Sequence, residues 1–214
     1  MVATPRPKRP RRTSPKRLGI FGGTFDPIHI GHLVLAHQLR EALRLDTVIV
    51  VPCSRSPHKP GYRPAPAGHR LRMARLALRG LDGFEVSDLE MRRRGPSYTV
   101  DTVRRIRRRH GTGVELWLLV GMDAYLEMEA WREPEVILRE CRLGVACRPG
   151  YRAGRLRLAA GARVRFIEMT PLDISSTALR RRVRSGRSIS FLVPAAVEAY
   201  IKRHGLYGAR RRSR

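Results

Sequence analysis

Short apolar runs at positions 18–21, 47–51, 84–86, 116–120, 143–146 and 164–167 read as strands. Between and after them, apolar residues recur at helical spacing over 31–44, 67–78, 99–109, 122–127, 134–139, 176–185 and 194–203. In the first of these, Leu35, Ala36, Leu39, Ala42 and Leu43 fall on one face, as a helix with one buried side requires. Strand–helix alternation predicts an α/β chain: a doubly wound, mostly parallel sheet with right-handed crossovers and helices on both faces. In such sheets ligands bind above the carboxyl ends of the strands, where the strand order switches. No internal repeat and no second domain emerge, so one domain is expected over 18–207.

The ends follow a different pattern. Residues 1–17 carry four prolines, no acidic residue and almost nothing apolar, so they read as a disordered basic tail. Residues 208–214 read as a second basic tail. Nothing N-terminal resembles a signal peptide, the prolines break any amphipathic transit helix, and no apolar run approaches membrane-spanning length. Three scattered cysteines, Cys53, Cys141 and Cys147, lack metal spacing and suit a reducing cytoplasm. The formal net charge of +26 invites a nucleic-acid reading. Yet of the 44 basic residues only Lys8, Lys16, Lys59 and Lys202 are lysine, and much of the excess sits at the ends. That skew fits a solvated cationic surface with general affinity for polyanions, and no specific nucleic acid is expected.

Chemistry concentrates in "GIFGGTFDPIHIGHL", residues 19–33. No Gly-Lys-Ser/Thr follows the glycines and the G-x-G-x-x-G spacing is missing, which excludes a P-loop and the dinucleotide fingerprint. What remains is a strand end, a turn at Gly22-Gly23 and a helix start whose exposed N–H groups can hold phosphate oxygens. His29 and His32 flank that start. Three readings are open for them: metal ligands, polar residues that merely open a helix, or imidazole donors to a polyphosphate. A metal site needs three or four ligands and only Asp26 is near. The donor reading accounts for the most, with one ring stabilising charge that develops at the attacked phosphorus. Asp26, before Pro27, is expected to fix the turn through bonds to the local backbone.

A second anion-binding helix start is read at "DISSTALRRRVRSG", residues 173–186. Ser175, Ser176 and Thr177 supply three hydroxyls where capping alone needs one. Arg180 lies one turn on and can reach the same anion with its planar fork. Two helix starts, two histidines, three hydroxyls and an arginine exceed the needs of one phosphate and fit a nucleoside triphosphate. Asp123, after a strand end, is a candidate acceptor for a ribose hydroxyl. Lys59, in the loop after the second strand, is read either as a phosphate contact or as a solvated loop cation.

Together "GGTFDPIHIGH" and "ISSTALR" resemble the two signature motifs of the nucleotidylyltransferase superfamily. The stretches "SPHKP", "GPSYTVDT", "GMDAYLEMEAW" and "VPAAVEAYIKRHGLY" narrow the resemblance to the bacterial nicotinate-nucleotide adenylyltransferase family, over residues 18–207. The resemblance implies a Rossmann-like fold. It also implies a reaction of ATP with nicotinate mononucleotide that yields deamido-NAD and pyrophosphate, with Mg²⁺ held by phosphates and water. On that footing His32 meets the α-phosphate and His29 the triphosphate, with Arg180 completing the catalytic set. Gly22, Gly23, Thr24, Phe25, Ile174, Ser175, Ser176 and Thr177 line the ATP site. Trp131 stacks on the pyridine ring, the N–H groups of Thr99 and Arg132 receive its carboxylate, and Tyr98 walls the pocket. Homo-oligomerisation is left open. The rivals are the nicotinamide-mononucleotide and pantetheine-phosphate adenylyltransferases and, outside enzymes, a basic nucleic-acid-binding module.

Overall fold

The protein is described by a computed structural model over residues 16–55, 61–93, 95–148, 150 and 161–209. The strands are β1 (Arg17–Gly23), β2 (Thr47–Pro52), β3 (Phe84–Val86), β4 (Glu115–Gly121), β5 (Arg142–Cys147) and β6 (Val164–Glu168). The helices are α1 (Ile30–Ala42), α2 (Ala67–Ala77), α3 (Thr99–His110), α4 (Met122–Leu126), α5 (Pro134–Glu140), α6 (Ser176–Arg184) and α7 (Ala195–His204). Short 3₁₀ turns follow at Met128–Ala130 and Leu206–Gly208. The strands form one sheet in the order β3-β2-β1-β4-β5-β6, every pair parallel. The order therefore reverses between β1 and β4, which opens a crevice above their carboxyl ends.

Each strand feeds two cores because alternate side chains leave opposite faces. Leu18 and Ile20 of β1 join Leu116, Leu118 and Val120 of β4 beneath α3 and α5, with Val100, Val103, Ile106 and Ile137. Phe21 of β1 and Trp117 and Leu119 of β4 face the other way. There they meet Ala36 and Leu39 of α1, Met73 and Ala74 of α2, Leu179 of α6 and Val197 and Ile201 of α7. Burial on both faces is why the strands read as unbroken apolar runs rather than as alternating ones. Among the described residues, no helix is long and apolar enough to cross a membrane.

Three shifts of expected boundaries have a visible reason. The first helix stops at Ala42, two residues short of the expected 44. The Arg44 N–H bonds to the Glu41 carbonyl and the Leu45 N–H to that of Arg40, a Schellman closure that turns Arg44 left-handed and drops Leu45 into the core. At the N-terminal side, Lys16 and Arg17 belong to the fold rather than to a tail. The Glu115 N–H donates to the Lys16 carbonyl, the Arg17 N–H bonds Asp46 Oδ2 at 2.7 Å, and the Arg17 guanidinium pairs with Glu115 at 3.3 Å. At the other end Gly208 and Ala209 also belong to it, because the Ala209 N–H closes the last turn on the Leu206 carbonyl and Ala209 packs against the core.

Candidate active site

The glycine–histidine stretch crosses the switch point. His29 is the N-cap of α1 in extended conformation, and its N–H donates to Nδ1 of His32 at 3.2 Å. Because Nδ1 of His32 accepts, the ring's proton sits on Nε2, and a neutral His32 is a fixed N–H donor at the helix start. The two imidazoles stack with centroids 3.7 Å apart, and Phe25 meets His32 edge-on at 5.0 Å. Two glycines permit this packing. A Cβ on Gly31 would lie 3.1 Å from Nδ1 of His29, and one on Gly23 would lie 2.8 Å from the Phe25 ring. Phe25 itself is buried with φ 48°, and its ring props the site.

Burial also sets the charge of His29. It is 5% exposed, and desolvation lowers its pKa to about 4, so it is neutral at physiological pH. The unfolded chain, with a pKa near 6.5, binds the proton first as pH falls. The stability that this ring contributes is complete above pH 6.5 and is lost as pH falls toward about 4, by roughly 3 kcal/mol at the acid end. Urea midpoints at pH 7 and pH 4.5 check this: the wild-type drop should exceed that of a His29→Asn variant, and equal drops refute it.

Opposite lies the start of α6, where the hydroxyls do not simply point at an anion. Ser175 is the N-cap and accepts from the Ala178 N–H at 3.2 Å. Ser176 Oγ donates to the Pro27 carbonyl at 3.0 Å, which ties α6 to the motif loop. Thr177 Oγ1 accepts from Nη2 of Arg180 at 3.2 Å, while Nη1 of Arg180 donates to the Asp26 carbonyl at 2.8 Å. Only the Ser176 hydroxyl spends its proton on the protein; the O–H donors of Ser175 and Thr177, the first N–H groups of α6 and the remaining guanidinium donors are left to face an anion. Asp26 corrects a second expectation. Its carboxylate, 2% exposed, reaches the Ala65 N–H and the hydroxyls of Tyr62 and Tyr207, so it clamps distant segments rather than its own turn.

A cleft of about 650 Å³ brings together His29, Gly31, His32, Asp123, Asp173 and Ile174, a size that suits a small-molecule ligand. Its far wall, the loop after β6, is held to α1 by Gln38, which bonds both the hydroxyl and the N–H of Thr170 at 2.7 and 3.0 Å. A second cleft of about 870 Å³ is lined by Thr24, Tyr62, Arg70 and Tyr98. Near the end of β1, Gly22 is exposed and open, with Gly23 and Thr24 half-buried beside it. Tyr98 caps the start of α3, Thr99 is its first residue, and the Arg132 guanidinium lies 4.8 Å over the Tyr98 ring. Trp131 is half-buried and packs, like Tyr98, against the core beneath α3 and α5. Lys59 lies outside the described residues.

One functional candidate escaped the motif reading. Arg70, 1% exposed, donates to four main-chain carbonyls: Ala65 at 2.9 Å, Thr24 at 2.8 Å, Cys53 at 2.6 Å and Ser54 at 2.9 Å. It fastens the loops that leave β1 and β2 and puts a fixed positive charge behind both. The signal was present: Arg70, Met73, Ala74 and Ala77 share the buried face of α2. Arg70→Met should leave those carbonyls without donors and lower stability by about 2–4 kcal/mol, read as a fall in Tm. An unchanged Tm refutes the clamp.

A family model described as cytidylyltransferase-like matches residues 20–182. The probable nicotinate-nucleotide adenylyltransferase of Moorella thermoacetica is 45% identical over 205 residues, which cover 92% of this chain and 94% of that protein. Its namesake in Thermus thermophilus is 45% identical over 191 residues, covering 89% and 99%. Among solved structures, nicotinic acid mononucleotide adenylyltransferase from Plasmodium falciparum, complexed with NaAD, superposes with a TM-score of 0.74. That match is 20% identical, covers 90% of this chain and 97% of the other, and speaks for the fold alone. With its switch-point crevice, paired histidines and second helix start, the chain belongs to the cytidylyltransferase-like family and, within it, to the nicotinate-nucleotide adenylyltransferases.

Proposed function

We propose that the protein transfers the adenylyl group of ATP to nicotinate mononucleotide, releasing pyrophosphate and forming deamido-NAD for NAD biosynthesis. The observation that carries this is His32, an imidazole lining the cleft whose Nδ1 accepts the His29 N–H, so that the ring offers its Nε2–H as the donor. A phosphate oxygen of the mononucleotide, already ionised, attacks the α-phosphorus in line. The new P–O bond forms as the bond from the α-phosphorus to the bridging oxygen breaks, and that electron pair leaves with pyrophosphate. No general base is needed, so catalysis is alignment and charge stabilisation. His32 donates to the α-phosphate, His29 to the triphosphate. Arg180 and the N–H groups of Ser176 and Thr177 hold the departing phosphates, and the loop of Gly22, Gly23, Thr24 and Phe25 supplies backbone beside the nucleotide. Ile174 and Ser175 shape that wall. Asp123 accepts from a ribose hydroxyl.

For the acceptor, Trp131 stacks on the pyridine ring, Tyr98 walls it, and the N–H groups of Thr99 and Arg132 receive the carboxylate. Lys59 meets phosphate. Among the described residues no three histidine, cysteine or acidic side chains converge as a metal cage. A Mg²⁺ ion would arrive with the triphosphate and keep phosphate and water as ligands, as that ion prefers. When bound, that ion neutralises phosphate charge. As thiols, Cys53, Cys141 and Cys147 accord with a cytoplasmic setting.

The test is pyrophosphate release from ATP with nicotinate mononucleotide, its amide and phosphopantetheine in parallel. The fastest release is expected with the first, and faster release with either of the others overturns the assignment. No specific nucleic acid enters this function. Removing residues 1–15, which stops short of the Lys16 carbonyl bonded in the sheet, should leave kcat/KM within about twofold and mainly reduce salt-sensitive retention on polyanions. A roughly tenfold or larger loss of kcat/KM would place that segment in the site.

A further inference from the structure

Asp26 holds one strap of chain at two points. Its Oδ2 accepts the Tyr62 hydroxyl, and its Oδ1 accepts the Ala65 N–H at 3.2 Å together with the Tyr207 hydroxyl at 2.6 Å. The Arg180 guanidinium is the neighbouring cation. Its Nη1 comes only to 3.9 Å from Oδ2, the oxygen that Tyr62 occupies, and donates instead to the Asp26 main-chain carbonyl at 2.8 Å. Cζ of Arg180 lies over the Tyr62 ring, 5.0 Å from its centroid. A buried carboxylate beside an arginine ordinarily closes into a short charge-assisted pair. Here the near oxygen is taken by a neutral donor, and the face of the same tyrosine gives the cation another place to rest. Tyr62 also lines the cleft of about 870 Å³, with Thr24, Arg70 and Tyr98.

We propose that Tyr62 is a positioning residue for Arg180. Its hydroxyl occupies Oδ2 and keeps the carboxylate from drawing the guanidinium in, its ring carries the guanidinium, and the remaining donors of Arg180 stay directed at the departing phosphates. This rests on the reading of Arg180 given above. Burial and the bond to Asp26 push the Tyr62 hydroxyl's pKa up to about 12, so it remains a donor throughout the working range. The strap that carries it is fastened three residues on. There the Ala65 N–H bonds Asp26 and the Ala65 carbonyl accepts from Nε of Arg70 at 2.9 Å. A residue that lines the second cleft thereby sets the aim of a cation in the first.

Tyr62→Phe removes one hydroxyl, keeps the ring and leaves Oδ2 without that donor within reach of Arg180. The guanidinium should close onto the carboxylate, so the Kd for ATP and for inorganic pyrophosphate should rise on the order of tenfold, while that for AMP stays within about twofold. Adding Asp26→Asn to Tyr62→Phe should bring pyrophosphate affinity back toward wild type, because a neutral amide lacks the charge that draws the guanidinium in. A merely structural tyrosine predicts equal losses for AMP and pyrophosphate, a lower Tm and no recovery in the double variant, and that result overturns the inference. Calorimetric binding reads all of this without turnover, so it is independent of which mononucleotide accepts the adenylyl group. A raised pyrophosphate Kd in Arg180→Gln with an unmoved one in Tyr62→Phe overturns the inference alone. An unmoved Kd in Arg180→Gln overturns the reading of Arg180 and the inference with it.

Discussion

Replacing His32 by alanine should lower kcat by roughly 10²–10³ and change ATP affinity far less, because one preorganised donor to developing charge typically supplies about 3–4 kcal/mol. The ring contacts that charge only as the α-phosphorus becomes pentacoordinate, so its loss is felt in the transition state and not in the ground state. Alanine also removes the acceptor for the His29 N–H, which would weaken the start of α1. His32→Asn separates the two effects. An asparagine oxygen can still accept that N–H, but nothing replaces the Nε2–H donor. Both variants should lose kcat, and only alanine should lose appreciable Tm. His29→Ala should cost less in kcat and more in ATP Kd, since a contact made before reaction is lost as binding. Near-normal kcat in His32→Asn rejects the catalytic role and leaves the histidines as helix-start residues.

The protein should prefer nicotinate mononucleotide to its amide by about 10–100-fold in kcat/KM. At the start of α3 the first N–H groups have no intrahelical acceptor, and the Arg132 guanidinium lies over Tyr98 beside them. A carboxylate there accepts charge-assisted bonds, roughly twice as strong as neutral ones, and sits at the positive end of the helix dipole. An amide presents one nitrogen that cannot accept, leaving a donor unpaired at roughly 1–3 kcal/mol. Competition assays with both mononucleotides at limiting ATP check this. Equal kcat/KM for the two sinks the carboxylate pocket and revives the nicotinamide reading.

The six strands and seven helices lie within a few residues of where periodicity puts them, because a parallel sheet buried on both faces writes each strand as an apolar run and each helix as a stripe. The failures are local. The end of α1 required a non-glycine residue to turn left-handed at Arg44, which no composition rule signals. Lys16 and Arg17 read as tail because their anchors, Asp46 and Glu115, lie far along the chain. The two anion-facing helix starts were legible because glycines, histidines and hydroxyls crowd the ends of apolar runs.

By itself, then, the sequence determined the α/β architecture and the place of the crevice, since each follows from spacing within a few turns of chain. The tertiary structure alone decided what the residues around that crevice touch. It buried His29 enough to keep it neutral. It gave the Ser176 hydroxyl the Pro27 carbonyl as its partner. It also gathered Tyr62, Arg180 and Tyr207 on Asp26 and sank Arg70 among four carbonyls. The reason is physical: periodicity encodes which face of an element is buried, a sum over many weak apolar contacts. A hydrogen bond is a single directional contact, and its partner is settled only when segments up to 181 residues apart are packed together.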